Sequence, residues 1–106
     1  MKKLEAVIRS EKLKELAEKL RLAGIGGMMV SEIKGFGVQT TRPEEYLFLP
    51  KTKIEIYVTD AQVEEIIAVI VECCRTEKMG SGKVAVIPME ECVRIRTGDR
   101  GETAIF

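Results

Sequence analysis

Histidine and tryptophan are absent from this 106-residue chain, cysteine occurs three times, and 17 basic residues face 17 acidic ones. Without histidine there is no His general base, no Ser-His-Asp triad and no His-containing zinc site. A formal net charge of zero gives no overall field for nucleic acid, so no nucleic-acid partner is expected. The longest apolar stretch lies inside Ile66 to Cys74, is broken by Glu72, and is far too short to cross a bilayer. Met1 to Glu5 leads into no uninterrupted apolar segment, so a cytoplasmic location without membrane insertion is expected. Cys73 and Cys74 are neighbours, Cys92 stands apart, and none has C-x-x-C spacing; a disulfide framework and a zinc ribbon are both unsupported. The three are read as small hydrophobes, and no metal ligand set and no catalytic residue is assigned.

What is present fits one domain, residues 1–106, just large enough to bury its own core. Leu4, Ala6 and Ile8 alternate with Glu5, Val7 and Arg9 as in a strand. Ser10 can cap a helix over Glu11 to Ala23, with Leu13, Leu16, Ala17 and Leu20 on one face and Gly24 at its end. Met28 to Lys34 reads as a second strand and Lys53 to Val58 as a third, joined by a mobile loop from Val38 to Leu49. Thr59 or Asp60 caps a second helix, Ala61 to Cys74, whose apolar face carries Val63, Ile66, Ile67, Ile70, Val71 and Cys74. A polar loop at residues 76–83 precedes a fourth strand, Val84 to Pro88, and a short last strand is expected at Cys92 to Arg96. The order βαββαβ with a short extra C-terminal strand is the α+β, ferredoxin-like sandwich, with both helices on one face of an antiparallel sheet. The other face, partly apolar at Val7, Tyr57 and the fourth strand, suggests self-association.

The even charge total hides a local asymmetry. Arg75 to Arg100 gathers Arg75, Lys78, Lys83, Arg94, Arg96 and Arg100 against four acids. Within it, Gly80-Ser81-Gly82-Lys83 enters a strand, where glycines let backbone N–H groups approach an anion and the lysine supplies counter-charge. It is not a Walker A loop, which would need Gly at Glu77 and Ser or Thr at Val84, with a helix following. Neither Gly24 nor Gly35 opens a G-x-G-x-x-G, which fails at Met29 and Thr40 respectively. Arg94 and Arg96, two apart on a strand, point the same way and can fork onto one polyphosphate. By composition and spacing alone, a polar turn and a phosphate site account for this region equally well.

Lys2-Lys3-Leu4-Glu5-Ala6, Glu32-Ile33-Lys34-Gly35-Phe36-Gly37-Val38-Gln39, Leu49-Pro50-Lys51-Thr52-Lys53-Ile54-Glu55, Gly80-Ser81-Gly82-Lys83 and Arg94-Ile95-Arg96-Thr97-Gly98-Asp99-Arg100-Gly101 occur in this order. Together they resemble the PII nitrogen-regulatory signal proteins, in register from Met1 to about Glu102 with one gap. The resemblance implies a homotrimer with ATP or ADP in the clefts between subunits. Gly35, Gly37, Val38 and Gln39 would line the cleft, with Gly27, Met28 and Met29 near the adenine and Glu55, Ile56 and Tyr57 closing its base and ribose end. Gly80, Ser81, Gly82 and Lys83 would receive phosphates, Arg94 and Arg96 would reach them across the subunit boundary, and Lys51 would touch the terminal phosphate or a bound 2-oxoglutarate. AMP, magnesium and 2-oxoglutarate stay open as effectors, and no cofactor is implied.

The chain departs from the family pattern. Its loop between Gln39 and Lys51 is shorter, so uridylylation of Tyr46 is not expected, and Thr40-Thr41, Val38, Met29 and Ser81 replace the usual Lys-Gly, basic residue, Thr and Asp. Val38 removes a cation and Met29 a hydroxyl, each worth on the order of 1 kcal/mol. The expected function is a non-enzymatic nucleotide sensor whose loop acts on a membrane transporter or a metabolic enzyme. Two alternatives are a slow ATPase or phosphotransferase in the same cleft, with Glu55 the one acid placed near it, and an oligomeric interaction module with a vestigial site.

Overall fold

The computed structural model describes residues 1–35, 49–77 and 80–106. Four strands, β1 (Lys2–Ile8), β2 (Met29–Gly35), β3 (Leu49–Val58) and β4 (Gly82–Pro88), form one sheet in the order β2-β3-β1-β4, with helices α1 (Leu13–Leu22) and α2 (Val63–Cys74) between them and a short α3 (Glu102–Ile105) at the end. Every neighbouring pair is antiparallel. This is the ferredoxin-like arrangement that the alternating periods of two and 3.6 residues predict.

One sheet face and the two helices make the core. Leu4, Ala6 and Ile8 of β1 stand opposite Ile56, Ile54 and Thr52 of β3, and all are buried. Leu16 and Leu20 from α1 and Ile66, Ile70, Cys73 and Cys74 from α2 close over them. Each large aliphatic side chain so buried contributes about 1.5–3 kcal/mol. The cysteines therefore behave as the small hydrophobes expected of them; burial, and secondarily Cys73 beside it, pushes the Cys74 thiol up to about 11.

The helix ends show where local signals hold. Gly24 takes φ +89°, Gly24 N donates to Arg21 O at 3.1 Å and Ile25 N to Leu20 O at 3.2 Å, so α1 ends as its glycine predicts. Its start differs: Ser10 is not the cap. A 3-10 turn, Ser10–Lys12, leads into the helix from Arg9, and the Ser10 hydroxyl accepts a 2.9 Å hydrogen bond from Thr52. Register explains this, since pairing Ile8 with Thr52 brings the next serine to a buried hydroxyl that requires a partner. At the entry to α2, Thr59 rather than Asp60 supplies the capping box, with Thr59 N donating to Gln62 Oε1 at 2.9 Å. Asp60 instead meets the Met1 ammonium at 2.8 Å and Lys2 at 3.7 Å; that hydrogen bond, and then the Lys2 charge, hold its carboxyl below the usual range.

The extra C-terminal strand expected over Cys92 to Arg96 is reduced to one bridge between Val93 and Arg100. Gly98 and Gly101, at φ +75° and +73°, let the segment turn back on itself. Its backbone groups then pair locally, Arg94 N with Asp99 O at 2.9 Å, Gly98 N with Arg94 O at 2.7 Å and Gly101 N with Cys92 O at 2.9 Å.

On the sheet face away from the helices, Lys3, Glu5, Lys53 and Glu55 form a half-buried charge ladder, with Lys3 3.3 Å from Glu55 and 3.5 Å from Glu5, and Lys53 3.6 Å from Glu55. Glu55, by its hydrogen bond, raises the Lys3 pKa. The face is therefore amphipathic, its apolar members Val7, Tyr57 and Ile87 flanking a charged centre. Among the described residues, no helix is long and apolar enough to cross a membrane.

Candidate functional site

Strand direction gathers the loop-bearing ends of the sheet. Ile8 pairs with Thr52 and with Gly82, and Gly35 pairs with Leu49, so β1 and β2 end where β3 and β4 begin. There Lys51 Nζ donates a 3.2 Å hydrogen bond to the Gly80 carbonyl. The stem of the 38–49 segment and the Gly80-Ser81-Gly82-Lys83 loop, separated in sequence, are thereby in direct contact.

Within that loop, Gly80 and Gly82 have φ +88° and +109°. A Cβ on Gly82 would lie 1.8 Å from the Val7 carbonyl oxygen, so strand packing alone already demands glycine there. The Ser81 hydroxyl accepts from Thr76 N at 3.0 Å and donates to Thr76 O at 3.2 Å, closing the loop on itself. Lys83 is exposed and sits opposite Val7, whose other cross-strand neighbour is Lys53. With Lys51 two residues before Lys53, three ammonium groups lie toward this end of the uncovered face. Behind it, between α2 and β4, a cleft of about 380 Å³ has an apolar floor of Ile8, Ile70, Cys74 and Val84 and includes the exposed Arg75 and Lys83.

The residues expected near a base form a second group. Met29 stands opposite Glu55 in the β2–β3 register, with Gly27 and Met28 just before it. Glu55 is held by Lys3 and Lys53, and half-buried Tyr57 lies opposite Lys3. The Ile56 side chain is 0% exposed, so Ile56 offers its backbone on this face, whereas Met28 is partly buried against the core. A Cβ at Gly27 or Gly35 would meet open space, whereas one at Gly26 would lie 2.9 Å from the Ile105 carbonyl oxygen. Gly37, Val38 and Gln39 lie outside the described residues.

The arginine pair also departs from expectation. Arg94 and Arg96 do not share a strand face, because the strand is absent. The Arg94 guanidinium turns into its own C-terminal segment, with Nη1 2.8 Å from Asp99 Oδ2 and Nη2 donating to the Thr103 carbonyl at 2.7 Å and to the terminal oxygen of Phe106. Arg96 is exposed beside Ile95, which is 99% exposed. Sequence reasoning missed this folding back, whose one signal is the pair of glycines around Asp99. It also missed buried Thr52, whose hydroxyl lies 3.3 Å from Glu32 Oε1 and ties β2 to β3, a contact that no local pattern announces.

The family described as "Nitrogen regulatory protein P-II" matches residues 1–99. The chain belongs to this family. P-II proteins are nitrogen-regulatory signal proteins, and this one is 46% identical to the "Nitrogen regulatory protein P-II" of Cereibacter sphaeroides, with 99% of this chain and 100% of that relative covered. It is 48% identical to the protein of the same name from Rhodobacter capsulatus at the same coverage. Both alignments extend over 112 positions, so this 106-residue P-II chain faces several gaps. Among solved structures, the Arabidopsis thaliana PII bound to citrate superposes with a TM-score of 0.85 at 38% identity, covering 98% of this chain and 88% of that one.

Proposed function

We propose that this P-II protein senses adenine nucleotides, ATP and ADP, in clefts between the subunits of a homotrimer. Occupancy then sets the conformation of the segment between Val38 and Leu49, through which the protein regulates a membrane transporter or a metabolic enzyme. The observation that carries this reading is the Lys51–Gly80 hydrogen bond, because it couples the stem of that segment to the glycine loop. A phosphate held by the backbone of Gly80 and Gly82 and by Lys83 gives Lys51 an anionic partner in place of a neutral carbonyl. ATP and ADP differ by one phosphate at that point, and a differential contact of this kind is what shifts a two-state segment. On the base side, Met29 stands opposite Glu55, and Gly27, Met28, Ile56 and Tyr57, together with Gly35, Gly37, Val38 and Gln39, complete the proposed nucleotide contacts. Arg96, exposed, completes the phosphate side from the neighbouring subunit. The role is regulatory: Glu55 is neutralised by two lysines, which leaves it unsuited to activate water for hydrolysis.

Calorimetric titration with ATP, ADP and AMP, each with and without magnesium and 2-oxoglutarate, tests this. The expected result is micromolar binding of ATP and ADP that Lys83→Ala and Arg96→Ala weaken by about tenfold or more without altering the circular dichroism. Absence of nucleotide binding refutes the reading.

A further inference from the structure

The C-terminal segment holds two parts of the proposed site at once. On one side, Arg94 is engaged by Asp99, by the Thr103 carbonyl and by the terminal oxygen of Phe106. On the other, Ile105 and Phe106 lie on Gly26, close enough that a Cβ at that glycine would sit 2.9 Å from Ile105 O and 3.2 Å from Phe106 Cα. Gly26 immediately precedes Gly27, Met28 and Met29. One four-residue stretch therefore both satisfies an arginine and covers the turn beside the base-side residues. Its remaining hold is light: Ala104 N donates to Gly101 O at 3.0 Å, α3 touches β3, and Phe106 is 57% exposed.

We infer that residues 103–106 are an intramolecular clasp that competes with a polyphosphate for Arg94. The inference rests on the nucleotide reading above and adds a regulation to it. A guanidinium whose Nη2 faces a carbonyl and a terminal oxygen and whose Nη1 faces a carboxylate has its fork filled, and a phosphate must displace those acceptors to form a bidentate pair. One of the three acceptors, the Thr103 carbonyl, is neutral, and a multiply charged polyphosphate is a stronger partner for a guanidinium than the Asp99 carboxylate or the terminal oxygen of Phe106, so the exchange favours an incoming polyphosphate. Release of Arg94 also removes the contacts that hold Phe106 over Gly26. The ligand-free protein thus has a closed base side and an occupied arginine, and ligand and clasp exclude one another. Apparent affinity is reduced by the fraction of molecules that are clasped.

The test compares the full chain with a chain ending at Glu102 and with Asp99→Asn, using ATP in calorimetry and hydrogen exchange at the amides of residues 101–106. With the clasp closed about nine-tenths of the time, the shortened chain binds ATP roughly tenfold more tightly. In the full chain, saturating ATP accelerates exchange at Ala104 while Gly101, held by Cys92 O and Glu91, keeps its protection, and inorganic tripolyphosphate acts in the same way, since it needs only the arginine. Asp99→Asn, which removes one anchor and keeps the segment, shifts affinity in the same direction by a smaller factor. ATP binding that is equal or weaker in the shortened chain overturns the clasp and leaves the nucleotide reading standing. Binding with protection at Ala104 unchanged or increased does the same. No binding of ATP to either chain refutes the nucleotide reading and the clasp with it.

Discussion

Replacing Gly82 with alanine separates what the fold needs at the glycine loop from what a ligand needs. The backbone at Gly82 has φ +109°, outside the region that residues with a side chain adopt freely, which costs about 1–2 kcal/mol. The added methyl would also lie 1.8 Å from the Val7 carbonyl oxygen and 2.9 Å from its carbon. Those are main-chain atoms of the adjacent strand, so no side-chain rotation relieves the overlap. β1 and β4 must separate at the Ile8–Gly82 and Val7–Lys83 pairs, where each backbone hydrogen bond lost costs a further ~0.5–1.5 kcal/mol. The sum is about 4 kcal/mol or more, a large share of the stability of a domain this size. Gly98→Ala is the control: its φ is +75°, but a Cβ there meets nothing within 4 Å, so only the backbone cost of about 1–2 kcal/mol applies. Urea unfolding at one fixed protein concentration, followed by circular dichroism, measures both. With a slope typical of small domains, Gly82→Ala lowers the midpoint by roughly 2 M and Gly98→Ala by about a third of that. A Gly82→Ala protein within about 1 kcal/mol of the parent, or equal losses at the two sites, refutes the steric argument and returns Gly82 to a purely ligand-directed role.

Thr52→Val keeps the shape of a fully buried side chain but strips the hydroxyl from Ser10 and Glu32, so denaturant unfolding should show a loss of about 1–2 kcal/mol, against almost none for Thr97→Val in the exposed turn. Cys74 titrates near 11 when folded against an ordinary 9.0, so its neutral thiol supports the fold fully below pH 9, and that support is lost as pH rises from 9 toward 11. Urea midpoints measured across this range should fall less steeply in Cys74→Ala. Asp60 behaves oppositely: its carboxyl is depressed below 3.8 by the N-terminal ammonium and Lys2, so its contribution is present above that pH and disappears as pH falls through the lowered value. The acid limb of thermal unfolding should be shallower in Asp60→Asn, with unchanged behaviour at neutral pH overturning the ion-pair assignment if Asp60→Ala is equally silent.

Four elements were legible in the sequence because each carries a period its neighbours do not contradict: Leu4-Ala6-Ile8 and Ile54-Ile56-Val58 at two, Leu16-Leu20 and Ile66-Ile70 near 3.6. Boundaries were less so. β3 begins at Leu49, four residues before its alternation starts, since Pro50 and Lys51 are recruited by pairing with β2 rather than by propensity. The missing last strand shows the same limit from the other side. Val93-Arg94-Ile95-Arg96 alternates well, yet two positive-φ glycines downstream decide its fate. In the site, the glycine loop and its lysine were visible as composition. Ser81 closing on Thr76, Lys51 reaching Gly80 and Arg94 reaching Phe106 were not, because each is a side-chain choice among partners that only the folded chain brings close.

An even number of strands, each antiparallel to the next, leaves outer edges of opposite polarity. β2 runs with β1 and β4 runs with β3, so the free rim of β4 on one copy meets the free rim of β2 on another as an antiparallel match without turning either molecule around. Such a joint is head-to-tail: its repetition makes a closed ring where the accumulated twist returns to its start and an unending ribbon where it does not. Val30 on one rim and Val86 on the other, 45% and 42% exposed, sit where that distinction is decided. The exposed Glu32 and Lys34 along β2 and Pro88 at the end of β4 are the features that discourage the ribbon.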